Sequence, residues 1–428
     1  MILLCFILLN IAVDAKFTRS SNDEIIKTDF INKGWMEEQD GVKILHLKGS
    51  FYEMGYQLGF FLKYEIIRNL RAFGLHELNE KNLTCSLWEI QKDYIPIELV
   101  DYIQGTADAV ALSYDDIGCM WTWEKKCSLH CSSFIADGPV TKSNELIHVY
   151  SLDFPGGPKD PITGFCVLDE PILVVGKPDG FNAFMYPSFA GYVVESGMND
   201  KGITISNTAS PCNDEKIHGS PVGIRLLEAL YKSSTLEEAL VILDVNKTFG
   251  YDYLISDVNK EDGYVLEQTA NISYLGQWDG ICESKFPFYT LNHIIRRTNC
   301  FVNPETSATQ RDIYNSLHPR NVFDKKSFAF VSYVHYRMVS LGCQEYTGDN
   351  KKLDLSNSLE SIRNAYNLEY GSVFMFLLHK FFLGEYNAWY QWSYTPFSGD
   401  LLICYASSDK TASENPIHHF NFYELLDT

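Results

Sequence analysis

Apolar positions along the chain follow two periods, and the change from one to the other falls near residue 131. From Gly49 the sequence reads G-S-F-Y-E-M-G-Y-Q-L-G-F-F-L-K-Y-E-I-I-R-N-L, in which Met54, Leu58, Leu62 and Ile66 recur at helical spacing. Ser50 followed by Glu53 is a capping-box pair, so a long amphipathic helix is expected within Lys48–Leu78. Gly55 and Gly59 fall beside Met54 and Leu58, which predicts that another backbone packs closely against this face. A second helix is expected from Pro96 to Val110, with proline in its first turn and Leu99, Ile103, Ala107 and Val110 along one side.

Beyond residue 131 short strand-like runs dominate: Leu146–Leu152, Pro171–Val175, Gly191–Val194, Ile203–Ser206, Tyr251–Asp257 and Tyr264–Gln268. Val222–Lys232 and Thr235–Leu243 read as helices between them, the second opened by another capping box, Thr235 with Glu238. Strands in bulk with helices grouped between them indicate layered α/β or α+β packing. The aromatic cluster Tyr386, Trp389, Tyr390 and Trp392 reads as core rather than as an exposed lipid-binding surface.

Composition narrows the setting. The opening M-I-L-L-C-F-I-L-L-N-I-A-V-D-A is an apolar run ending in small residues, expected to be a signal peptide over residues 1–15. Its apolar part is too short to span a hydrocarbon core of roughly 30 Å, and no later run is long enough for a transmembrane segment. The mature protein is therefore expected in the secretory pathway, with lysosomal, vacuolar and secreted fates all open. Sequons at Asn82, Asn246 and Asn271 fit glycosylation on that route. A formal net charge of −20 speaks against nucleic acid as a partner. With 46% hydrophobic residues and no linker or repeat, the chain forms one large domain or two tightly joined ones.

The candidate chemistry lies in H-C-S-S-F-I-A-D-G-P-V-T-K-S-N-E-L-I-H-V-Y-S-L-D-F, His130–Phe154. Eleven cysteines less Cys5 of the leader leave ten, which can all pair, so counting alone favours Cys131 as half of a disulfide. As a nucleophile Cys131 needs a base or a cation. His130 is adjacent, but neighbours on a strand point to opposite faces, and the flanks are not those of a papain-type site. Zinc is disfavoured: Cys127, His130 and Cys131, with Cys119 upstream, lack a second ligand pair at suitable spacing, so no metal and no cofactor is expected. A cut between His130 and Cys131 supplies a third route. The new α-amine, with a pKa near 7.7–8.0, takes or shares the thiol proton, and Asp153 is a candidate to orient it.

Here the block Cys131–Phe154 resembles the start of the mature β chain in the peptidase C45 family. That family includes acyl-coenzyme A:6-aminopenicillanic acid acyltransferase and is related to acid ceramidase, N-acylethanolamine acid amidase and cholylglycine hydrolase, all N-terminal nucleophile hydrolases. Gly49–Gly59, the Gly197-Met198-Asn199-Asp200-Lys201-Gly202-Ile203 turn, the Gly250–Thr269 hairpin and Thr290-Leu291-Asn292-His293 resemble further blocks in the same order, over roughly residues 48–315.

The resemblance implies an α+β, four-layer αββα sandwich. It also implies self-cleavage between His130 and Cys131, giving a largely helical α-chain segment, 16–130, and a β-chain, 131–428. Cys131 would attack an acyl amide, a lipid amide among the candidates, through an acyl-enzyme resolved by water or an amine. Asp153 would hold the amine, Asn199 and Asn292 would polarise the carbonyl, and Arg311 would match a late family arginine. The chain departs from the pattern at Tyr150, where relatives usually keep an arginine, unless Arg225, Arg296 or Arg311 supplies the charge. That departure keeps a second class open, an unprocessed secreted glycoprotein of the same fold binding lipid or protein without catalysis. A phospholipase B-like hydrolase is a third option.

Overall fold

The computed structural model describes residues 27–75, 83–126, 130–190, 193–311, 328–347, 351–367 and 386–428. The expected leader, Asn82 and Cys127 lie outside them. Two strands, β1 (Trp35–Gln39) and β2 (Val42–Gly49), form a hairpin whose turn residues Asp40 and Gly41 both have positive φ, the geometry a two-residue hairpin turn requires.

The predicted capping box is present: Ser50 Oγ accepts from the Glu53 amide and the Glu53 carboxylate accepts from the Ser50 amide. The helix it starts, α1 (Phe51–Phe61), ends sooner than the periodicity predicts. Leu62 leaves helical geometry at φ −118° and ψ 23°, and α2 (Lys63–Ala72) follows at a new angle. The break lets Leu58, Leu62 and Ile66 curve round one cavity instead of lying along a straight stripe.

Helix α3 (Ile97–Val110) crosses α1 at the glycines. A Cβ on Gly55 would stand 2.0 Å from the Tyr102 carbonyl oxygen, and one on Gly105 would stand 2.1 Å from that of Tyr52. The two backbones therefore meet directly, and Thr106 Oγ1 donates to the Gly55 carbonyl at 3.1 Å.

The remaining strands are β3 (His130–Ala136), β4 (Ile147–Pro155), β5 (Pro171–Pro178), β6 (Phe184–Phe189), β7 (Ser196–Asn199), β8 (Ile203–Ala209), β9 (Tyr251–Asp257), β10 (Asp262–Gln268), β11 (Ser273–Gly276), β12 (Ile294–Arg297), β13 (Tyr386–Thr395), β14 (Asp400–Tyr405) and β15 (His418–Asn421). They form a nine-stranded sheet, β1-β2-β5-β6-β7-β8-β9-β10-β11, and a six-stranded one, β12-β3-β4-β13-β14-β15. Of the strand expected at Gly191–Val194, Gly191 and Tyr192 lie outside the described residues; Val193 and Val194 are buried without pairing, and the next strand begins at Ser196.

Helices α4 (Val222–Lys232) and α5 (Leu236–Asp244) pack with α1 on the nine-stranded sheet. Thr235 caps α5 by accepting from the Glu238 amide, but the return bond goes from the Ser234 amide to Glu238, so the expected box is closed one residue early. Helices α6 (Phe328–Glu345) and α7 (Leu355–Asn367) cover the six-stranded sheet, and β3 faces β8, β9 and β10 across the middle. The architecture is the four-layer αββα, α+β arrangement.

Because both sheets are covered on both faces, β6, β7 and β9 are buried at every position and do not alternate. Trp389, Tyr390 and Trp392 are fully buried, so this part of the aromatic cluster is core; the Tyr386 side chain lies outside the described residues. No helix among the described residues is long and apolar enough to cross a membrane.

Candidate active site

Strand β3 lies second in its sheet, between β12 and β4. Its register with β4 sets Cys131 opposite Leu152, Ser133 opposite Tyr150 and Ile135 opposite His148. Directly opposed residues of an antiparallel pair share a face. Phe134 and Ala136 therefore turn outward to Val334 and Met338, whereas Cys131, Tyr150, Ser133 and His148 turn inward between the sheets. Cys131 has no exposed surface, and it is a free thiol. The free thiol corrects the pairing that cysteine counting favoured for Cys131, and the disulfide found among the described residues, Cys85–Cys119, removes Cys119 as a metal ligand.

The nitrogen of Cys131 donates to Asn299 Oδ1 at 2.8 Å, and Asn299 Nδ2 donates to the Ala209 carbonyl at 2.8 Å. The second bond fixes the amide's orientation, so its oxygen faces the atom that a cut before Cys131 would turn into an α-amine. Asn299 gets there by register. β12 pairs with β3 from Ile294 opposite Ala136 to Arg297 opposite Ser133, and continuing that count by two brings Asn299 opposite Cys131. Thr208 Oγ1 donates to the neighbouring Thr298 carbonyl at 2.8 Å, tying β8 to the same segment.

The thiol sits in surroundings that disfavour charge. Burial pushes its pKa well up, the Asp153 and Glu195 carboxyls push the same way, and the Tyr150 hydroxyl and the Asp153 amide push back as donors to sulfur. The Tyr150 hydroxyl is buried on the same face as the sulfur and makes no hydrogen bond of ordinary geometry. Further along the same face His148 holds Ser206 Oγ at 2.8 Å and Ser256 Oγ at 2.7 Å through its two ring nitrogens. Burial without a counter-charge lowers its pKa to about 3, so the ring is neutral.

The residues expected around Cys131 are not all brought to it. Asp153 stands opposite His130, one position off the thiol's register, and its Oδ1 accepts from Ser151 Oγ at 2.6 Å. In the intact chain the group on the Cys131 nitrogen is thus Asn299 rather than Asp153. Asn292 is exposed in the turn leading into β12, seven residues before Asn299. Asn199 is buried, but its amide is committed to backbone: Nδ2 donates to the Leu230 and Ser233 carbonyls, and Oδ1 accepts from the Lys201 and Ile203 amides. It pins the β7–β8 turn to the end of α4, and no atom is left to polarise a substrate carbonyl.

Each of the three arginines that could have supplied the missing charge is engaged elsewhere. Arg311 pairs with Glu215 at 2.6 Å, Arg225 donates to Leu243 O and Gln268 Oε1, and Arg296 donates to Tyr289 O. The sequence held a weak sign of Asn299: the run Ile294–Ile295 is followed by Arg-Arg-Thr-Asn, polar residues that end fully buried.

Comparison with known proteins adds little beyond this geometry. No family model matches the chain. An uncharacterized protein of Archaeoglobus fulgidus is 24% identical over 273 residues, which are 54% of this chain and 44% of that protein, so the chain spans less than half of that relative. Among solved structures, penicillin V acylase from Agrobacterium tumefaciens is similar with a TM-score of 0.42 and 12% identity over 69% of this chain and 87% of its own. A mutant of conjugated bile acid hydrolase from Clostridium perfringens gives 0.37 and 14%, over 69% and 93%.

Proposed function

We propose that the chain is an amidohydrolase whose nucleophile is Cys131, exposed as a new N-terminus by cleavage of the His130–Cys131 bond. The observation that carries this reading is the Cys131 nitrogen held by Asn299 Oδ1, with the thiol of the same residue turned into the space between the sheets. An amine and a thiol on one residue, the amine steered by a fixed carbonyl oxygen, form a nucleophile that carries its own base.

In the cut, Cys131 Sγ bonds to the His130 carbonyl carbon as the peptide C–N bond breaks, and the thiol proton passes to the departing nitrogen. Water then hydrolyses the thioester, leaving a carboxylate on His130 and freeing the thiol. With an amide substrate the same sulfur takes the acyl group, the leaving amine is protonated, and water or a second amine resolves the acyl-enzyme. The α-amine, with an ordinary pKa near 7.7–8.0, receives the thiol proton without help from a histidine.

The acyl group is proposed to be apolar. Leu62 and Ile66, Ile103 of α3, and Val174, Tyr186 and Phe189 of β5 and β6 line an apolar pocket that opens partly to solvent. The Phe189 ring lies 6.4 Å from that of Tyr390, which lies 6.0 Å from that of Tyr150, so a single aromatic side chain separates the cavity wall from the site. The exposed Asn246 and Asn271 suit a glycoprotein of the secretory route, to which this reading assigns the chain, lysosomal, vacuolar or secreted.

One observation favours the second reading, an uncut relative without activity: the thiol is wholly buried and has no cation beside it. Reducing gel electrophoresis with N-terminal sequencing decides between the two. The proposal expects a chain beginning C-S-S-F, lost in Cys131→Ala, and turnover of N-acyl amides by the cut protein; an intact mature chain favours the second reading.

A further inference from the structure

The register that turns Cys131 inward also turns Tyr150 inward, one cross-strand step along the same face. We propose that Tyr150 is a catalytic residue: its hydroxyl, on the same inward face as the Cys131 sulfur and one cross-strand step from it, turns to donate the hydrogen bond that holds the thiolate as it forms. The inference rests on Cys131 being the nucleophile.

Three observations carry it. The Tyr150 ring is fixed, with the Tyr390 ring 6.0 Å away on one side and the Trp392 ring 5.9 Å away on another, all three fully buried. Its buried hydroxyl makes no hydrogen bond of ordinary geometry, at a cost of about 1–3 kcal/mol that a thiolate on the same face would offset. The remaining neighbours of the sulfur offer no positive charge: Asp153 on β4 and Glu195 ahead of β7 are acidic, Tyr390 on β13 is a phenol, and Asn299 beyond β12 is a neutral amide.

A neutral donor does a different job from an arginine. Burial keeps the resting thiol protonated, and the donor bond lowers its pKa only in part, strengthening as negative charge builds on sulfur when the proton passes to the α-amine. Tyr150 keeps its own proton throughout, because burial and the facing thiol raise its pKa well above the ordinary phenol range.

The test is the titration of Cys131, followed by NMR on protein labelled with ¹³Cβ-cysteine and assigned by the signal missing from Cys131→Ala. Tyr150→Phe is expected to move the midpoint up by about one pH unit, a tenfold loss of thiolate at fixed pH, and to lower kcat with KM unchanged. A purely structural role would leave the midpoint in place. Should the phenylalanine variant fail to fold, 3-fluorotyrosine at position 150 acidifies the hydroxyl without reshaping the ring and is expected to move the midpoint down. A midpoint indifferent to these changes, or a sulfur that never titrates, overturns the proposal. Cleavage and amide turnover are read separately. A shifted midpoint in a protein that cuts no amide removes the proposed activity and leaves the tyrosine its role; an active enzyme with an unmoved midpoint does the reverse.

Discussion

Cys131 near the start of β3 and Asn299, two residues past the end of β12, face one another, with the nitrogen of the first donating to Oδ1 of the second at 2.8 Å. The two are separated by 168 residues and meet because β12 and β3 pair in one register and no other. A slip by one residue would turn every side chain of β12 to the wrong face and put Thr298 or Cys300 at the nitrogen.

Replacing Asn299 by leucine, of similar volume, removes the acceptor and leaves the Ala209 carbonyl without its donor. Cleavage before Cys131 is expected to slow by roughly a hundredfold, the worth of about 2–3 kcal/mol at a group that becomes charged. A time course on reducing gels checks it, and an undiminished rate would dismiss Asn299 as a positioning group.

Cys131→Ala is expected to abolish the cut while leaving the fold nearly intact. The side chain is fully buried and packs among apolar residues, so losing its sulfur costs on the order of 1 kcal/mol. Thermal unfolding beside the gel assay separates these effects; a collapsed Cys131→Ala protein would make the thiol a structural element.

Gly55→Ala is expected to destabilise the chain by more than about 2 kcal/mol, since the new methyl meets the Tyr102 backbone at 2.0 Å and neither helix can yield without moving the other. Gly105→Ala, facing the Tyr52 carbonyl, should cost a similar amount. Urea unfolding of both variants measures it, and stability equal to the parent would mean that α1 and α3 are not in contact in solution.

His148 makes the fold sensitive to acid. Its pKa falls from 6.5 to about 3 on burial, so the folded state keeps the ring neutral while the unfolded chain protonates it. The stability it contributes is complete above pH 6.5 and is lost as pH falls toward 3, with roughly 2 kcal/mol gone by pH 5. Asp137, raised to about 6 chiefly by burial, acts in the opposite direction, favouring the folded state on the acid side of that value. His148→Asn isolates the first effect: its urea midpoint should start lower than the parent's and fall less between neutral and acidic pH. Parallel curves for the two proteins would show that the ring is not buried neutral.

Much of the framework was visible in the chain before any coordinates. Ser50 with Glu53, the α4 boundaries at Val222 and Lys232, the strand Tyr251–Asp257 and the close approach at Gly55 follow from capping, period and missing side chains, all properties of neighbouring residues. The break at Leu62 was not visible, because apolar residues every four positions fit a straight helix and a bent pair equally well until the cavity is present.

The sequence by itself singled out Cys131 as the candidate nucleophile and put a tyrosine nineteen residues later. Tertiary structure alone decided what surrounds them. Asn199, Asn292 and Asn299 are alike as letters, yet one is spent on helix and turn backbone, one lies in solvent and one holds the Cys131 nitrogen. The difference is strand register, which joins residues far apart in the chain and depends on how two sheets bury their faces together, a condition no local pattern records.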